Sequence, residues 1–95
     1  MSAIMISTIT VTDPEAFAAY LEQSKALAGK YGAEMLWAGA HHADLTEGHA
    51  PGDRVVIARF PDAERLMAWH GSPEYAELVP LRLRGSEQVM TAYAN

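Results

Sequence analysis

The stretch RFPDAERLMAWHGSPEYAELVPLRLR, residues 59–84, reads as the end of a strand, then a helix, then a second helix with its own cap. Pro61-Asp62-Ala63-Glu64 opens the first helix. Asp62 is placed to accept from a free N–H of the first turn, and Glu64 lies near the positive end of the helix dipole. Ala63, Leu66, Met67 and His70 have the spacing of an inner edge, and Gly71 stops the helix. Ser72-Pro73-Glu74 starts the next one with a hydroxyl cap, a proline at the first helical position and an acid. Tyr75, Leu78 and Val79 are expected to face inward. Pro80 has no N–H for the helical ladder, which predicts a kink or a break there.

Working outward, Arg54 to Phe60 (RVVIARF) is a strand rich in β-branched residues, and Ala3 to Val11 (AIMISTITV) is another. Asp13 and Pro14 cap a helix whose stripe is Phe17, Tyr20, Leu21, Leu27, Ala28 and Tyr31, and which Gly32 is expected to end. Ala33 to His41 is the second strand, with Gly39 read as the mark of a bulge. His42 to Gly52 is the longest loop, and Ser86 to Tyr93 is the final strand. The order βαββαβ, with a faint echo between VTDPEAFAAY and FPDAERLMAW, predicts an α+β, ferredoxin-like sandwich. Residues 1–95 form a single domain in which a four-stranded antiparallel sheet carries its helices on one face.

Composition narrows the function classes. A formal charge of −5 disfavours nucleic-acid binding, which needs a positive surface. With no cysteine there is no disulfide, thiolate nucleophile or Cys-ligated metal, and the chain is compatible with the cytoplasm, its expected location. Met1 to Val11 lacks the basic start and cleavage site of a signal peptide. No apolar run approaches the ~20 residues that span a bilayer, so no membrane partner is expected.

The strands alternate, but both alternating sets are apolar. Ile4 and Ile6 oppose Met5, Ile9 and Val11; Val55 and Ile57 oppose Val56, Ala58 and Phe60; Met35 and Trp37 are read against Leu36, Ala38 and Ala40. A sheet with one wet face shows polar residues at every second position. Helices on one face would leave the other as an apolar patch larger than soluble monomers tolerate, so a homodimer joined sheet to sheet is predicted.

VTDPEAFAAY with Lys30 to Gly32, then RVVIARFPDAERLMAWHGSPEY and Pro80 to Arg82, resemble the domain of unknown function family 1330 (DUF1330). That family lies within the dimeric α/β barrel (ferredoxin-like) superfamily, and the resemblance covers essentially the full length. It implies a homodimer with a barrel-like interior and no established activity. Where such proteins often carry Arg-Gly-Gly at the end of the second strand, this chain has Ala38-Gly39-Ala40, so a ligand role for that arginine does not transfer.

Two groups of residues are candidates for chemistry. His41 and His49, in HHADLTEGH, suit Zn or Ni if a hairpin joins them, but no recognised ligand spacing is met and a solvated loop explains them equally. Trp69 and His70 are the catalytic candidates. Trp37, Arg59 and Tyr75 are the ligand-binding candidates, Trp37 and Arg59 being read as lining the space between helices and sheet. Each has a structural alternative: Trp69 and Tyr75 as core anchors, His70 as a dipole partner, Arg59 paired with Glu34 or Glu87. Arg82 is read as neutralising a helix terminus or holding a partner's carboxylate.

No nucleophile motif or phosphate-cradling loop is present, and no cofactor is expected. The expected function is a small homodimeric module that binds a small apolar molecule or is purely structural. The alternative is a cofactor-independent monooxygenase or isomerase acting on a small aromatic or polyketide-like substrate, a reading by superfamily analogy.

Overall fold

The computed structural model describes all 95 residues. The chain runs β1 (Ala3–Val11), α1 (Pro14–Gly29), β2 (Glu34–Ala40), β3 (Arg54–Phe60), α2 (Ala63–His70), α3 (Pro73–Gly85) and β4 (Ser86–Ala94). The four strands form one antiparallel sheet in the order β2-β3-β1-β4. This is the expected ferredoxin-like α+β architecture, with two helices filling the second crossover. No helix is long and apolar enough to cross a membrane.

The caps form as the residue types dictate. Asp13 Oδ1 accepts from the backbone N–H groups of Glu15 and Ala16 at 3.1 and 3.3 Å, and Asp62 Oδ1 accepts from Arg65 at 2.8 Å. Ser72 serves two helices at once. Its hydroxyl donates to the Trp69 carbonyl at 2.8 Å, closing α2, and accepts from the Tyr75 N–H at 3.1 Å, opening α3. Gly71 is the C-cap of α2, as expected, at φ −90 rather than in the left-handed region, and Ser72 adds its hydroxyl to the closure. The first helix ends at Gly29 rather than Gly32, which takes φ +86 and turns the chain toward β2.

Three details depart from the sequence reading. The helix α3 is continuous through Pro80, without the break that is one of the two outcomes expected there. It is anchored on both sides of the proline, by buried Leu78 and by Gly85, which lies against α1. The inner edge of α2 is Leu66 and Trp69; Ala63, Met67 and His70 are exposed. The indole offers the larger apolar area, so its burial decides the rotation of this short helix.

The third departure is in β2. Met35 pairs with Ala58 and Trp37 with Ile57, leaving Leu36 as an extra residue, so the bulge falls there and not at Gly39. A bulge resets the alternation. Met35 therefore faces the helices while Trp37 lies on the opposite face.

Register fixes the two faces. Ala3, Met5, Ser7 and Ile9 of β1 share the helix side with Val56, Ala58 and Phe60 of β3 and with Gln88 and Met90 of β4. Ile4, Ile6, Val55, Ile57, Trp37, Val89 and Tyr93 occupy the open side, where Trp37 is 64% exposed.

Candidate functional site

Helix α1 packs along α3 and makes few close approaches to the sheet. Small residues stand on both sides of the gap: Ser7 and Ala58 on the strands, Ser24, Ala28 and Gly29 on α1. The result is a cavity of about 220 Å³. Met5, Ile9, Phe17, Phe60, Trp69 and Met90 are among the large apolar side chains of its wall.

Its polar groups are few and mostly bonded to each other. The Ser7 hydroxyl donates to Gln88 Oε1 at 2.8 Å, and Gln88 Nε2 donates to the Ser86 hydroxyl at 2.9 Å. On the α1 wall, the Tyr20 and Tyr75 hydroxyls meet at 2.8 Å, and Arg82 Nη1 donates to the Tyr75 oxygen at 2.9 Å. Burial, and then the Tyr75 neighbour, raise the Tyr20 pKa far above the usual tyrosine value, so Tyr20 is a neutral phenol. Arg82 is thus spent on a tyrosine oxygen, a role the sequence reading did not include. Lys25 borders the cavity but is itself exposed.

The structure gathers three of the candidates. Trp69 and Tyr75 are 2% and 1% exposed, with ring centroids 4.9 Å apart. The His70 ring lies 4.7 Å from that of Tyr75 and 5.8 Å from that of Trp69. Only Trp69 of the three borders the cavity. His70 is on the outer side, where partial burial and then the Arg82 charge hold its pKa below the ordinary histidine value.

The other candidates lie elsewhere. Trp37 and Arg59 are on the open face, not between helices and sheet; the Leu36 bulge turns Trp37 there, and Arg59 is paired with Glu34 across β2 and β3. His41 Nε2 and His49 Nδ1 sit 2.8 Å from separate oxygens of Asp44. These hydrogen bonds, His49 first, and one from the Ala50 N–H lower the Asp44 pKa. Each imidazole turns a nitrogen to the carboxylate rather than to a shared point, and no group of three or more His, Asp or Glu side chains converges as metal ligands.

Ser7, Ser24 and Gln88 escaped the sequence reading as cavity residues. Their signal was present: Ser7 interrupts the otherwise apolar run Ala3, Met5, Ile9 on one face of β1.

The fold and cavity define a ferredoxin-like α+β domain with an internal space of small-molecule size. The chain belongs to the family described as "Domain of unknown function (DUF1330)", whose model matches residues 2–94. No match was found among the curated proteins. Among solved structures it is similar to RPA0582, a protein of unknown function from Rhodopseudomonas palustris, at 20% identity and TM-score 0.80, covering 99% of this chain and 82% of that one. It is also similar to SnoaB, a cofactor-independent oxygenase from Streptomyces nogalater, at 12% identity and TM-score 0.72, covering 99% and 92%. A dimeric ferredoxin-like protein of unknown function from Thermobifida fusca matches at 16% identity and TM-score 0.61, covering 100% and 92%.

Proposed function

We propose that this protein is a homodimeric α/β-barrel protomer that binds a small, mostly apolar molecule between α1 and the sheet. The cavity carries the reading. An apolar cavity of about 150 Å³ is enough to take up benzene, and drug-sized ligands need roughly 300 Å³ or more. At about 220 Å³, the space here suits a body of one or two rings. The second copy is assigned to the open face, where Ile6, Ile57 and Trp37 form an apolar surface of the kind that monomers do not leave bare. A cytoplasmic site of action fits a chain without cysteine.

Binding is favoured over the alternative of a cofactor-independent monooxygenase or isomerase. Such chemistry begins with removal of a substrate proton by a base of suitable pKa. The cavity wall contains no carboxylate and no imidazole, its tyrosine is held protonated, and His70 lies outside it.

The test is a titration with indane, followed by Trp69 fluorescence in a Trp37→Phe background that leaves a single indole. Saturable quenching is expected, and Ala28→Phe, which builds a ring into the cavity, is expected to abolish it while the protein remains folded. A flat titration in the unfilled protein refutes the binding reading.

A further inference from the structure

The cavity opens to solvent along one row of α1. Tyr20, Ser24 and Ala28, four residues apart, form its buried inner row. Leu21, Lys25 and Gly29, one position on, form the adjoining row and also border the cavity; Leu21 is half-buried, and Lys25 and Gly29 are exposed. Ala33 and Met35 border it from the sheet side, where Met35 is 37% exposed. A Cβ at Gly29 would meet nothing beyond its own turn of helix within 4 Å. The mouth therefore lies between the Leu21, Lys25 and Gly29 row and the start of β2, with Lys25 in the middle of its rim.

The charge at this rim runs against that of the chain. The formal charge is −5, yet no carboxylate borders the cavity, and Lys25 is the one cation that does. Lys25 takes no part in the ion pairs of the chain, which join His41 and His49 to Asp44 and Arg59 to Glu34. The carbonyls at the nearby end of α1 are already satisfied: Leu27 accepts from the Lys30 N–H, Ala28 from Tyr31 and Ala33, and Gly29 from Gly32. A four-carbon stem lets the Lys25 ammonium lie over the opening while staying in water. An anion beside it keeps its own hydration, whereas inside the apolar space it would need a buried partner.

Resting on the cavity as a binding site, we propose that its occupant is a monocarboxylate on a one- or two-ring apolar body, with the ring inside and the carboxylate at the mouth beside the Lys25 ammonium. One cation balances one negative charge, which favours a carboxylate over a phosphate dianion.

Indane-2-carboxylate and indane-2-carboxamide share a shape and differ in charge at neutral pH, so they form the test pair, again followed by Trp69 fluorescence in the Trp37→Phe protein. A solvent-exposed ion pair predicts the carboxylate binding about threefold tighter at low salt. Lys25→Gln, a change at an exposed position, is expected to bring that ratio to near one, and Lys25→Glu to reverse it. Salt at about 1 M is expected to erase the preference in the protein that keeps Lys25. Equal affinities before that substitution, or a preference that survives Lys25→Gln, overturn the carboxylate assignment while leaving cavity binding intact. Binding of neither compound, nor of indane, overturns both.

Discussion

The hydroxyls of Tyr20 and Tyr75 meet at 2.8 Å, joining α1 to α3 at the edge of the cavity, and Arg82 reaches the same Tyr75 oxygen from 2.9 Å. One phenol oxygen thus serves two partners from different turns of the helical layer. Removing it strands both. Tyr75→Phe is expected to cost roughly 2–3 kcal/mol, because a buried phenol and a guanidinium each lose their acceptor or donor. Tyr20→Phe removes one bond and leaves Arg82 satisfied, for about 1 kcal/mol. Urea unfolding of the two variants should rank them in that order, and the reverse order would contradict the shared role of Tyr75.

The same pair sets a dependence on alkaline pH. Burial and the Tyr75 neighbour raise the Tyr20 pKa well above its ordinary 10.0, so the folded protein holds this proton more tightly than the unfolded chain does. The contribution is complete below the unfolded pKa and is lost progressively as pH rises above it. Unfolding free energy measured against pH should therefore decline above that point in the wild type. It should decline less steeply in Tyr20→Phe, with the two curves running parallel at neutral pH.

Gly85 is a contact that tolerates no side chain. A Cβ there would lie 2.5 Å from the Phe17 backbone nitrogen, and the Gly85 carbonyl accepts from the Thr12 and Asp13 N–H groups at 3.0 and 3.1 Å. Neither neighbour is a flexible side chain that gives way. Gly85→Ala is expected to destabilise by about 2–3 kcal/mol, as overpacking against backbone does. A melting temperature equal to that of the wild type would show that α1 can retreat at no cost.

The open face makes a prediction about mass. Ile57 pairs with Ile6 on one side and Trp37 on the other, at the middle of the apolar surface. Sedimentation at micromolar concentration should give a dimer for the wild type. Ile57→Glu, which places a charge in the proposed interface, should give a monomer. A monomeric wild type would remove the second copy from this face.

The architecture was legible because its signals are local. Proline and acid at each helix start and β-branched runs in β1 and β3 act within a few residues, and the structure keeps those boundaries nearly unchanged. The apolar character of both sheet faces was legible as well, since period-two alternation needs only the sequence. The cavity was not. It arises because Ser7 and Ala58 come to lie opposite Ser24 and Ala28, a coincidence of small residues across two elements that no single stretch displays. Trp37 lies on the face opposite to the one strict alternation predicts for a related reason: one extra residue in β2 inverts the alternation, and only the pairing partner reveals where. Helical spacing alone points His70 inward. The volume of the Trp69 indole, competing for the same side of an eight-residue helix, turned it outward.

Leu36 carries one further implication, for how the protein avoids self-stacking. The strand β2 lies at an edge of the sheet, and an edge offers unpaired N–H and C=O groups as a template for end-on growth. The surplus residue interrupts that template midway along a seven-residue strand. A chain arriving at this edge meets a ladder out of step with its own and cannot extend the sheet in regular register.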